Sequence, residues 1–180
     1  MTVTVEIETE LGTFVLAVEE DAAPVTAANF LAYVDGGFVR EMSAYRIVTH
    51  ANQPAETVHR IEVIQWGWRP SNSALPAPFP AIAHEPTSKT GLLHQHLTLS
   101  MARDAPGTAT GGFFICIGEQ PELDEGGRRN PDGAGFAAFG RVVAGEDVIA
   151  AIFARAEAKE YVARPVQFLA ARRLSPTSCA

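Results

Sequence analysis

The chain has 180 residues, the length of one domain with a single core that buries roughly 70% of the unfolded chain's surface. At 47% hydrophobic and 19% charged residues it is composed like a folded globular protein and not like a disordered one. A net charge of -7 argues against nucleic acid or an anionic membrane as the main partner, because both require a basic face. The isolated pairs Arg128-Arg129 and Arg172-Arg173 do not make such a face and read as solvated surface charge.

"VTVEIET" and "TFVLAVE" alternate apolar and polar residues around Leu11-Gly12, which predicts an antiparallel hairpin with one face buried. In "DAAPVTAANFLAYVDGGF", Phe30, Leu31 and Val34 are spaced for a helix, with Thr26 as its expected N-cap and Gly36-Gly37 as its stop. From Ala44 onward come short apolar runs, "AYRIV", "IEVIQWGW", "HLTLSMA", "FFICI" and "FAAFGRVV", broken by Gly, Pro and Asn. That cadence predicts a closed or sandwiched β structure. "RPSNSALPAPFP", residues 69–80, reads as a proline-rich loop too short to separate domains. "GEDVIAAIFARAEA" predicts a second helix with Glu146 and Asp147 in its first turn, where the macrodipole favours acids. A last strand, "VQFLAARRL", precedes an expected flexible tail at 175–180, so the domain is expected to span 1–174.

Cys116 lies in an apolar run and Cys179 in the tail as an expected exposed thiol, so no disulfide framework is expected and a reducing compartment fits. The N-terminus is alternating strand without a basic n-region or an apolar h-region, and no apolar run reaches about 18 residues, so we expect a cytoplasmic protein with no membrane span. His94 and His96 would share one strand face and His50 and His59 flank a long loop, but without an HExxH or a spaced Cys/His set no metal is expected. The run Gly-Thr-Ala-Thr-Gly-Gly at 107–112 lacks a Lys-Ser/Thr ending and precedes a strand, so it is not a phosphate loop.

Taken in order, "APVTAANFLAYVDGGF", "AYRIV", "VIQWG", "HLTLSMARDAPGTATGGFFICIG", "LD" and "FAAFGRVVAGEDVIAAI" resemble the cyclophilins, the cyclosporin-type peptidyl-prolyl isomerases, from about Val3 to about Leu174. The resemblance implies a mainly β fold, a closed eight-stranded antiparallel barrel capped by two α-helices. It also implies catalysis of Xaa-Pro isomerisation in peptides and folding chains, with no cofactor, by a protein expected to be monomeric. Arg46 stands at the place of the family's catalytic arginine and Gln65 at that of the supporting glutamine. Val63, Phe114, Leu123 and Phe136 would form the proline socket, with Ala102 lending backbone at its rim. His84-Glu85 matches a family site and reads as structural.

Three departures bear on activity. Glu62 replaces a pocket phenylalanine and would sit beside Arg46, Gly112 replaces a glutamine that bonds substrate backbone, and Glu122 replaces the tryptophan associated with cyclosporin, so weak or no binding of that drug is expected. The segment 49–62 and the loop "DEGGRRNPDGAGF" are longer than usual. The leading reading is an active isomerase resting on Arg46, Gln65 and Phe114. A proline-peptide binding module with little turnover is the alternative, and a barrel enclosing a small apolar ligand a poorer third, since bulky apolar residues suffice to fill the interior.

Overall fold

A computed structural model describes residues 1–68 and 76–175. Most of the proline-rich stretch, the tail after Ser175 and Cys179 lie outside the described residues. Eight strands are present: β1 (Thr2–Thr9), β2 (Gly12–Glu19), β3 (Met42–Val48), β4 (Val63–Trp68), β5 (Thr98–Met101), β6 (Gly112–Cys116), β7 (Ala138–Ala144) and β8 (Tyr161–Arg173). They close into an antiparallel barrel in the order β1-β2-β7-β5-β6-β4-β3-β8. The opening hairpin forms with the expected turn, pairing Thr9 with Gly12.

Among the described residues three α-helices accompany the barrel: α1 (Pro24–Asp35), the single turn α2 (Thr87–Thr90) and α3 (Glu146–Phe153). The two long ones are those expected, but Thr26 is not the cap of α1. The helix starts at Pro24, and the buried Glu85 accepts from both the backbone N–H (2.9 Å) and the hydroxyl (2.8 Å) of Thr26. A carboxylate delivered from a distant segment thus satisfies an orphan N–H of the first turn, where the helix dipole also favours it. His84-Glu85 is structural in this concrete sense.

Alternation along the strands sorts side chains into an inner and an outer set. Trp66 and Phe113 pair across β4 and β6, point inward and meet Phe30 of α1, whose ring stands edge-on to both, 6.1 Å from Trp66 and 5.2 Å from Phe113. Phe30 of α1 is buried in the core, and Val148, Ile149 and Ile152 of α3 are buried in the same core, with α3 packed on β2. The interior is packed with side chains, which leaves no role for an enclosed ligand.

A second apolar cluster, Val48, Ile61, Val63, Phe114, Cys116 and Leu123, is separate from this core, with Ala102 and Phe136 packed against it. It lies on the outer face of β3, β4 and β6, and a single register error in any of these strands would dismantle it.

Candidate active site

Strand register builds the site. Across neighbouring strands, Tyr161 of β8 pairs with Arg46 of β3, Arg46 with Gln65 of β4, Gln65 with Phe114 of β6, and Phe114 with Ser100 of β5. Paired residues share a face, so this row places a cation, an amide and an aromatic floor side by side on the barrel's outer surface. The register of β3 shifts between Ala44 and Arg46, leaving Tyr45 as an extra residue. Such a bulge re-aims its neighbours, and here it lets Tyr45 and Arg46 serve the same site.

The two phenylalanines divide the work as alternation demands. Phe113 is buried in the barrel core, while Phe114 floors a groove of about 430 Å³. Val63, Ala102, Gly112, Leu123 and Phe136 line the same groove, as do Arg46 and Gln65. Phe136 meets Phe114 edge-on at 5.5 Å, and the buried ring of His94 stacks on Phe114 at 5.8 Å. His94 is itself held between the Asp124 carboxylate (Nδ1 to Oδ1, 2.7 Å) and the Ser100 hydroxyl (Nε2 to Oγ, 2.9 Å). The floor is therefore fixed from beneath by a polar chain.

Arg46 is anchored on two sides. Its Nε (2.9 Å) and Nη2 (2.6 Å) both donate to Oε2 of Glu160, and Nη1 donates to Oε1 of Gln65 at 2.8 Å. Gln65 in turn donates through Nε2 to the Tyr45 hydroxyl at 2.9 Å, and the Arg46 guanidinium lies 5.7 Å from the centroid of the Tyr161 ring. These contacts engage three of the five guanidinium N–H donors, and among the described residues the other two donate no hydrogen bond.

Glu62 departs from expectation. Its carboxylate accepts from the backbone N–H of His50 and does not line the groove, so the acid beside Arg46 is Glu160. The reason lies in the 49–62 segment. Gln53 pins it by donating to the carbonyls of Thr49 and Ile61 and accepting from the Ile61 N–H, which seats Ile61 in the apolar cluster and turns Glu62 outward.

The sequence did not single out Tyr161 and Tyr45, which line the groove, or Glu160, which holds Arg46, and Arg129, expected as solvated surface charge, also lines the groove. Tyr161 and Glu160 precede the motif-bearing part of the last strand, and only the β3–β8 register would have exposed them. His94 and His96 do not share a strand face, because β5 begins at Thr98: His94 is buried under Phe114, and His96 is exposed and bonded to Glu146. Among the described residues no group of three or more His, Cys, Asp or Glu side chains is arranged to hold a metal, and no helix is long and apolar enough to cross a membrane.

The loop after Leu123 is held close to the socket by a second arginine. Arg103, its side chain almost fully buried, donates to the Gly135 carbonyl and to both carboxylate oxygens of Asp132, and its guanidinium lies 4.9 Å from the centre of the Phe136 ring. These hydrogen bonds, with one from the Ala134 N–H, hold the Asp132 carboxyl down at about 2. Burial pushes the Cys116 thiol well up, so it is no thiolate nucleophile.

The closed barrel, with its packed interior and a socket-and-arginine groove on its outer face, defines a cyclophilin-like protein. A profile for the cyclophilin type peptidyl-prolyl cis-trans isomerase/CLD family matches residues 4–171. Peptidyl-prolyl cis-trans isomerase cyp18 of Streptomyces antibioticus is 33% identical over 150 residues, 83% of this chain and 82% of that protein. A peptidyl-prolyl cis-trans isomerase of Acinetobacter baylyi is 30% identical over 146 residues, covering 81% and 69%. The crystal structure of a Cryptosporidium parvum cyclophilin type isomerase matches the fold with a TM-score of 0.76 at 17% identity, covering 98% of this chain and 99% of that one. The chain belongs to the cyclophilin-type peptidyl-prolyl cis-trans isomerase family.

Proposed function

We propose that the outer groove isomerises Xaa-Pro bonds in extended or unfolded polypeptide, with Arg46 and Gln65 as its catalytic pair. Rotation about a peptide bond faces a barrier of about 18–20 kcal/mol because resonance gives the C–N bond double-bond character. The cis and trans prolyl isomers differ by only about 0.5–1 kcal/mol, yet exchange takes tens to hundreds of seconds. No bond is made or broken, so the reaction calls for neither nucleophile nor metal.

In this reading the proline ring sits on Phe114 between Val63, Leu123 and Phe136, while the preceding carbonyl turns. As resonance is lost, the lone pair localises on the imide nitrogen, and an Arg46 N–H donates to it. That bond strengthens only in the transition state, which is the condition for binding energy to raise the rate. The single observation that carries the reading is the guanidinium of Arg46, anchored by Glu160 and Gln65 at the mouth of the Phe114 socket with two N–H donors unbonded among the described residues.

The reading extends to a monomer acting in the cytoplasm on the slow prolyl steps of folding chains. Glu122 supports weak cyclosporin binding, since its carboxylate is engaged by Arg128 (2.9 Å) and faces His59 where the family's tryptophan would stand. A binding module with little turnover is the second reading, favoured by Gly112, which offers substrate backbone no side chain. Exchange NMR on an Ala-Pro peptide with catalytic amounts of protein separates the two. Faster cis–trans exchange supports the isomerase, and shift changes without faster exchange support the binding module.

A further inference from the structure

Among the described residues three arginines line the groove, and two of them are paired with carboxylates: Arg46 with Glu160 and Arg103 with Asp132. Arg129 is the third. Its neighbour Arg128 behaves as the sequence suggested, exposed and paired with Glu122, but Arg129 turns into the groove wall beside Ile61, Leu123 and Phe136. Its Nη1 donates to two neutral acceptors, Oε1 of the buried Gln53 (3.0 Å) and the His59 carbonyl (2.9 Å). Among the described residues it has no ion pair, and its Nε and Nη2 donate no hydrogen bond. The Arg129 backbone N–H donates to the Glu122 carbonyl, and its side chain ties the 49–62 segment to the loop after Leu123, so the guanidinium is held in place.

We propose that Arg129 makes this groove selective for prolines flanked, immediately before or after, by an acidic side chain. The proposal rests on the socket being the proline site. A partly buried cation hydrogen-bonded only to neutral acceptors has given up water without a carboxylate in direct contact, and one brought to it by the substrate supplies that contact. Burial, followed by the nearby charge of Arg46, holds the Arg129 pKa below the ordinary arginine value; the Glu160 carboxylate acts in the opposite direction with less effect, being already paired with Arg46. Asp104 also lines the groove but is exposed and hydrated, so it offsets Arg129 little. The selectivity runs against the overall charge of -7, which by itself disfavours acidic clients. It is a property of the groove.

The test compares N-acetylated, C-amidated peptides carrying Glu or Gln at the position before proline, and a second pair varied at the position after it. Blocked termini leave the side chain as the only carboxylate. In wild type, the Glu peptide is expected to exceed its Gln partner about fivefold in kcat/KM at one of the two positions, as a partly desolvated ion pair allows. The ratio should fall towards one at high salt. Arg129→Gln should abolish the ratio and Arg129→Lys should retain part of it, a comparison that a general loss of activity does not move. A wild-type ratio of one or less at both positions overturns the proposal, as does a ratio unchanged in Arg129→Gln. If wild type accelerates none of the peptides, the isomerase reading fails on its own, and the same ratio taken from dissociation constants by NMR titration still decides the role of Arg129.

Discussion

Replacing Glu160 by glutamine tests whether the acid aims Arg46 or disables it. One carboxylate oxygen accepts from Nη2 at 2.6 Å and Nε at 2.9 Å, and the two side chains are only 22% and 15% exposed. A hydrogen bond to a charged group contributes about 1.5–3 kcal/mol and a neutral one about 0.5–1.5 kcal/mol. The amide keeps the shape and one acceptor, so with partial solvent screening the substitution should cost about 1 kcal/mol of stability, a shift of about 2–4 °C in Tm. The catalytic loss should be larger in proportion. A catalytic group displaced by about 1 Å can lose 10²-fold, and an arginine still held by Gln65 should lose about tenfold, mostly in kcat because Glu160 does not line the socket. The assay is exchange NMR on an Ala-Pro peptide, with thermal denaturation on the same samples. A folded Glu160→Gln protein as fast as wild type, or faster, would refute the argument and make Glu160 a brake on Arg46.

Other perturbations have equally definite outcomes. At Gly112 an added Cβ would meet only the Ala102 methyl, at an ordinary 3.4 Å, so Gly112→Gln should fold and raise kcat/KM severalfold by restoring a substrate bond. Gly67 behaves oppositely: its φ of +131° and the Gly111 carbonyl, 2.2 Å from where a Cβ would lie, mean that Gly67→Ala should fail to accumulate as folded protein in a denaturation assay. The Asp132 carboxyl is depressed to about 2 when folded, so between about pH 4 and pH 2 the unfolded chain binds more protons and the stabilisation present above that window is lost as pH falls. Asp132→Asn should therefore be less stable than wild type at pH 7, with the gap in urea midpoint closing as the pH falls from about 4 to about 2. Cyclosporin should inhibit poorly, and Glu122→Trp should tighten it, as read by inhibition of the peptide assay.

Elements whose cause is local were legible in the sequence. The opening hairpin follows from period-two alternation broken at Leu11-Gly12, the stop of α1 from Gly36-Gly37, and the first turn of α3 from Glu146 and Asp147. Barrel closure and strand count came from the ordered resemblance, because β5 and β6 are too short to declare their neighbours. Within the groove, Arg46, Gln65 and Phe114 were legible as motif positions. Their supports were not, since Glu160 reaches Arg46 from 114 residues away and Arg129 reaches Gln53 from 76. Glu62 failed for a related reason: where a long segment enters a strand, the segment's own bonds decide which residue faces the site, and here Gln53 chose Ile61.

The most direct measurement is the cis-to-trans rate of an Ala-Pro peptide with wild type and with Arg46→Ala, each shown by circular dichroism to be folded. Wild type should accelerate exchange clearly and the variant should lose about 10²-fold, the scale on which a transition-state donor acts. Equal acceleration by both proteins, or none by the folded wild type, would contradict catalysis by Arg46.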